Sequence, residues 1–396
     1  MRGSAVVRQR LGSIDAYRGL VMLLILAEVL RSCAVAATLP GWRVWSYACS
    51  QQSHVPWAGF SLHDLIQPSF YFLVGVSVVF SFARRSTVGQ SRGGLLLHTL
   101  IRSSILIVLG MALFSIHPRV WKWQFIDTLT QIGLAYPFLV LIALRPRKEW
   151  YLAATAILTA YWLWFAVSPV MSVREGDVIG VSATWIQAHG LEGFAAHWQK
   201  NANRAYQFDL WLLNLFPGET PYSGDVAGVT TLNFVPSIAT MILGLIAGDL
   251  LRRRHGQLTL VPLFAAIGTG LIGAGWMLHA IGVVPVVKAI WTPSWVLFSG
   301  GWCFLFLAAF YAVVDLGGVR RGVFPLTVIG MNSLVAYSMS HVYPAVAFNS
   351  LRRIFGSEAF RVAGTAYEPL VYGCAVLGCY WLVLFALYKL RIFVRI

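Results

Sequence analysis

The 396 residues are 58% hydrophobic and only 11% charged, well below the roughly 25% typical of soluble domains. That balance excludes a soluble globular enzyme. The formal net charge of +15 suggests nucleic acid only until its distribution along the chain is followed.

A spanning helix takes about 20 mostly apolar residues. Ten stretches qualify, near 17–38, 62–83, 97–116, 125–144, 150–170, 233–251, 260–281, 293–315, 323–345 and 369–390. They predict an all-α, polytopic membrane helix bundle of about ten transmembrane helices. One domain is expected over residues 1–396, with a long extracytoplasmic loop at 171–231. Short loops rich in Lys and Arg stay cytoplasmic. With the amino terminus inside, the clusters at Arg84, Arg145, Arg252, Arg320 and Lys389 share one side. That side holds 19 of the 30 basic residues and four of the 15 acidic ones, so the positive surplus is cytoplasmic. Both termini are placed there, and nucleic acid is not an expected partner. The first apolar run contains Glu28 and Arg31 without a small-residue cleavage pattern, so no signal peptide is expected. Of five cysteines, only Cys49 falls clearly in an outer loop, so no disulfide framework is expected.

In the first span, Ser13 suits a helix cap and Asp15 suits the positive helix end. Arg18, three residues on, is placed to pair with Asp15. A cap with its salt bridge accounts for this group at least as well as phosphate binding. Glu28 and Arg31 form a second i,i+3 pair near the outer end. Snorkelling explains Arg31, but the shorter Glu28 points to a wet cavity.

The stretch from His54 to Gly75 puts a histidine just outside the second span and Asp64 just inside it. Ionisable groups at such a boundary are functional candidates. Ser61 to Asp64 also reads as a capping box, and Pro68 predicts a bend. His98 and Arg102 fall near the inner face, Asp127 and Gln131 near the outer end of the fourth span, and His117 in a short turn. A connection as long as 171–231 is usually functional or structured. Its Trp185, Trp198, Asp209 and Trp211 weakly suit sugar stacking, and His189 and His197 make no metal signature. Thr231-Leu-Asn233 leads into the sixth span. Lys288 and Trp291 to Ser294 mark the outer start of the eighth, and Asn332, Ser333 and His341 lie in the ninth. Interhelical hydrogen bonding accounts for Ser333, while for Asn332 it stands level with a functional role. No pair of broken helices of the transporter kind is evident.

Together these motifs resemble the heparan-alpha-glucosaminide N-acetyltransferase-like family of transmembrane acyltransferases. Ser13-Ile-Asp15-Ala-Tyr-Arg18-Gly is similar to its S-x-D-x-x-R-G entry. His54-Val-Pro-Trp57-Ala-Gly59, then Asp64-Leu-Ile-Gln-Pro68, is similar to its H-x-x-W-x-G and D-L-x-x-P pattern. Thr231-Leu-Asn233, Trp291 to Ser294 and Gly330-Met-Asn332-Ser333 resemble later landmarks. Glu28 stands close to a family asparagine, and Thr128-Leu-Thr-Gln131 replaces a V-L-Q-R pattern. A bacterial-type member lacking the large lumenal domain is expected.

The resemblance implies acetyl transfer from cytosolic acetyl-CoA, as co-substrate, to an aminosugar or glycan hydroxyl across the membrane. Acyl transfer needs a base and donors for the developing oxyanion. His54 suits the base or a transient acyl carrier, with His63 as rival, Asp64 as its orienting carboxylate and Glu28 as a third catalytic candidate. Asn233, Lys288, Trp291, Asn332 and His341 form the expected substrate-binding set. Asp15 and Arg18 are the cofactor-side candidates, facing CoA phosphates. Expected partners are a saccharide or other small acceptor and the lipid bilayer, with a homodimer left open. The expected location is a bacterial cytoplasmic membrane. A transporter of a sugar or organic anion is the alternative.

Overall fold

The computed structural model describes residues 11–87, 91–116, 121–171, 178–342, 344–356 and 358–394. Arg2, Arg8, Arg10, His117 and Arg395 lie outside them. Among the described residues the chain is helical, with no strand and one isolated bridge between Ala58 and Val287. Seven helical stretches are long and apolar enough to cross a membrane: 12–38, 63–83, 92–114, 231–253, 260–280, 293–316 and 365–389. This is a polytopic helical bundle.

The remaining three of the ten sequence stretches take other forms. Helix α6 (Thr128–Ala143) is apolar but short, and α7 (Arg147–Ala166) starts in the basic cluster itself. The stretch 323–345 is not one helix. It breaks at Asn332 into α13 (Phe324–Met331) and α14 (Ser333–Val342). The first stretch is interrupted too. Helix α1 (Gly12–Leu26) passes into a 3-10 turn over Ala27–Leu30, and Arg31 adopts a left-handed conformation before α2 (Ser32–Thr38). Two interrupted helices therefore exist where none were expected. They pack together: a side chain at Gly19 would strike the Leu326 carbonyl, and one at Gly330 the Asp15 carbonyl.

Helices α4 (Ile66–Thr87) and α10 (Phe234–Arg253) form the centre of the bundle. Gly75 lies against the Met241 carbonyl, Gly244 against the Phe72 carbonyl and Gly248 against Val76. The contacts advance together along both helices, so the pair is parallel. Parallel packing brings the amino-terminal turns of two helices about 170 residues apart in sequence to the same end of the bundle. Pro68 sits in the first turn of α4, where its missing N–H costs nothing, so no bend is required there. Helices α11 (Leu260–Ala280) and α12 (Pro293–Phe310) pack antiparallel through Gly268, Gly275 and Gly301.

Several local expectations change. Ser13 does not cap α1; its hydroxyl and amide bond the Asp315 carboxylate. Glu28 does not pair with Arg31, whose guanidinium lies over the Phe348 ring at 4.4 Å. Cys33 and Cys49 form a disulfide between α2 and α3 (Arg43–Gln52). The early end of α1 and the left-handed turn at Arg31 set Cys33 on a separate short helix beside α3, which the apolar pattern alone conceals.

The segment 178–231 folds over the same end. Its centre is Trp198, fully buried and stacked on Phe165 of α7. Trp57 donates its indole N–H to the Trp198 carbonyl at 3.1 Å. Lys200 lies over the Trp185 ring and bonds the Gly180 carbonyl. Trp185 and Trp198 are thus packing elements of this layer.

Candidate active site

The end of the bundle where α4 and α10 begin gathers three ionisable side chains, Asp64, His54 and Lys288. Asp64 lies in the 3-10 turn His63–Leu65 that leads into α4 and is almost wholly buried. Its Oδ2 accepts from the Ser61 amide and hydroxyl, both at 3.0 Å, so the capping box forms. Its Oδ1 faces outward to His54 Nδ1 at 2.7 Å and Lys288 Nζ at 3.2 Å. One carboxylate is therefore both cap and charge centre, with a different oxygen for each role.

A carboxylate only accepts hydrogen bonds, so His54 donates through Nδ1. Its Nε2 then carries the lone pair, and no described residue bonds that nitrogen. Lys288 Nζ stands 3.1 Å from the same Nδ1 and, with that proton committed to Asp64, pairs with the carboxylate. Burial, first, and the Lys288 ammonium push the His54 pKa below its ordinary value, while the Asp64 carboxylate opposes them. The ring is crowded at its Nδ1 edge yet keeps 57% of its side chain exposed at the mouth. Burial likewise lowers the Lys288 pKa, and Asp64 opposes the fall. A neutral, oriented imidazole results.

Lys288 is held by its loop. The Val286 carbonyl accepts from the Gly59 amide at 2.9 Å, and Tyr161 donates to the Ile290 carbonyl at 3.0 Å. Thr292 and Ser294 both donate to the Pro285 carbonyl. Trp291 adopts a left-handed backbone conformation at φ 48°, closing the turn behind Lys288. The sequence reading placed Asn233 and Trp291 on substrate, but both brace this loop. Asn233 donates to the Ala289 carbonyl at 2.8 Å and accepts from Thr230, so both ends of its amide are occupied. Trp291 is buried against Tyr71, with its indole N–H on Thr240.

His63 and Glu28 form a second imidazole–carboxylate pair, Nε2 to Oε1 at 3.2 Å. The His54 and His63 rings are 4.6 Å apart. Glu28 is exposed to the mouth rather than buried. Behind this pair lie Tyr71, bonded to Gln67, and Tyr337, near Thr128. The Asp127 carboxylate is within electrostatic reach of both phenols and of His341. His341 Nδ1 lies against its own helix, at the Tyr337 carbonyl and Ser340 hydroxyl, so it is near the interior polar file but not beside His54.

Two groups are elsewhere. Asn332 donates to the Ile392 carbonyl and accepts from the Val394 amide, joining the helix break to the chain after the last helix. Arg18 lies 3.6 Å from Asp15 and bonds Ser77 of α4, tying α1 to the centre of the bundle. Neither touches the His54 centre. Gln131, where the resemblance leads to an arginine, is buried and bonds the Thr231 carbonyl at the start of α10. Among the described residues no group of three or more His, Cys, Asp or Glu side chains could hold a metal ion.

The fold and site define a polytopic helical membrane protein with an imidazole held by a buried carboxylate at one end. No family model matches the chain. It is 24% identical over 370 residues to heparan-alpha-glucosaminide N-acetyltransferase of Homo sapiens, covering 84% of this chain and 53% of that protein. The Mus musculus protein of the same name is 25% identical over 425 residues, covering 98% of this chain and 60% of its own length. The chain thus spans between about half and three fifths of the curated relatives it matches. The chain is similar over most of its length to these two N-acetyltransferases.

Proposed function

We propose that this chain is a membrane acetyltransferase that moves an acetyl group from acetyl-CoA to an amine or hydroxyl of a saccharide. The observation that carries the reading is His54, fixed through Nδ1 by buried Asp64, with Nε2 available at the mouth. The relatives' name supplies the reaction class and the glucosaminide acceptor. The Arg145 and Arg252 clusters lie at the other end of the bundle, and the tendency of basic loops to stay cytoplasmic supports an extracytoplasmic His54 end. The Cys33–Cys49 disulfide lies at the His54 end and fits an oxidising compartment.

In the proposed step, His54 Nε2 takes the proton of the attacking N–H or O–H as the acceptor bonds the acetyl carbon. The tetrahedral oxyanion collapses, the C–S bond breaks, and the departing thiolate takes the proton from the imidazolium. Asp64 stabilises that imidazolium and holds the ring in one tautomer. Burial and Lys288 keep the resting imidazole neutral. His63, set by Glu28, borders the same mouth as a positioning residue.

Purified protein incubated with labelled acetyl-CoA and a panel of aminosugars and glycans tests the proposal. Labelled glycan is expected. His54→Ala should lower transfer by about 10²–10⁴-fold, the usual contribution of a general base, while the protein still inserts. His63→Ala should retain more activity. Normal turnover in His54→Ala excludes the base assigned here. Saccharide flux into vesicles without acetyl-CoA, and without an acetylated product, would instead establish the transporter.

A further inference from the structure

A cavity of about 560 Å³ opens at the opposite, basic end of the bundle, between α4, α6, α7 and α10. Its charged side is formed by Arg145, Arg147, Arg252 and Asp249. The Asp249 carboxylate is already engaged: Arg147 Nε lies at 2.6 Å and Arg253 Nε at 3.0 Å. Arg252 reaches it only at 4.0 Å. Arg145 is exposed and forms no ion pair or side-chain hydrogen bond among the described residues. Three guanidiniums therefore approach one carboxylate, Arg145 lines the same cavity, and neither Arg145 nor Arg252 is neutralised by Asp249 at close range.

One wall of the cavity is apolar. Val79 and Leu245 are buried there, and Trp150 closes one side with its indole N–H on the Arg145 carbonyl at 3.0 Å. That bond fixes the backbone from which the Arg145 side chain extends. Leu144, just before Arg145, and Tyr151, just after Trp150, are exposed apolar side chains, so the surface beside the cavity is lipid-facing in character. Guanidinium forks match phosphate oxygens, and basic pockets between transmembrane helices accept anionic head groups. A soluble nucleotide would find the charges but would leave the apolar wall in water. A phospholipid satisfies both.

We propose that this cavity binds the head group of an anionic phospholipid, with its phosphate on Arg145 and Arg252 and its glycerol and upper acyl chains against the Trp150 wall. The Asp249 pair with Arg147 and Arg253 then serves as the fixed frame. This inference does not depend on the acetyl-transfer reading.

Native mass spectrometry of the full chain, released from bilayers mixing phosphatidylglycerol and phosphatidylcholine, tests it. Wild type should retain phosphatidylglycerol preferentially. Each arginine removed near a membrane surface weakens anionic-lipid binding about fivefold, so Arg145→Gln/Arg252→Gln should weaken retention about thirtyfold. The double lysine variant, which keeps both charges, should recover most of it. Unfolding midpoints in pure phosphatidylcholine show whether each variant is folded. Equal retention by wild type and a folded glutamine variant overturns the site. Displacement of the lipid from wild type by soluble coenzyme A, lost in the glutamine variant, overturns the lipid assignment in favour of a nucleotide.

Discussion

The two ends of the bundle use charge in opposite ways. At the His54 end, Asp64 is buried, each carboxylate oxygen has assigned partners, and Lys288 is held by a loop braced from four directions. At the other end, arginines about half exposed crowd one carboxylate beside an open cavity. Buried, fully bonded charges fix geometry and are suited to chemistry. Exposed surplus charges fix little and are suited to capture. A uniform count of ionisable residues would treat the ends alike; burial and partner number separate them.

The comparison is broken most severely by Asp64→Asn. The carboxylate that sets the His54 tautomer and neutralises Lys288 is lost, while an asparagine still caps the turn. Transfer should fall by about 10³-fold or more, measured as kcat alongside an unfolding midpoint that changes far less.

A second test opens the fixed end without touching its charges. Cys33 and Cys49 are 16 positions apart, and a loop of that size gives about 3 kcal/mol of stabilisation in the chain-entropy model. Cys33→Ser should lower the unfolding midpoint, and reductant should shift wild type but not the variant. An unchanged midpoint would show that the His54 end is held by packing alone.

The smallest effect sharpens the electrostatics. Lys288 lowers the His54 pKa, so Lys288→Met should raise it. A base acts only when deprotonated, so the acid limb of the kcat/KM profile should move to higher pH. No movement, or movement to lower pH, would show that Lys288 does not set the imidazole's charge.

Much of this was legible in the residues, for reasons that can be named. The apolar runs followed from composition, and the spacing of Ser61, Asp64 and His54 marked both the cap and its outward neighbour. Parallel pairing of α4 and α10 was not legible, because glycines at 75, 244 and 248 have no period that distinguishes contact from tolerance. Without it, Asn233 read as a donor to substrate when it is a brace for the Lys288 loop. Asn332 misled for the opposite reason. An amide within an apolar run reads as a site, yet here it secures a helix break to the chain end. The disulfide was hidden because the end of α1 lies in backbone geometry at Arg31, not in hydropathy.

The glycine seam between α4 and α10 has a mechanical consequence. Main chain lies against main chain at three levels, so neither helix can slide or roll past the other without collision, and the pair works as a keel. In the proposed reaction, any motion that admits a donor at one face and an acceptor at the other therefore happens around this pair. A cross-link across the seam should leave turnover intact.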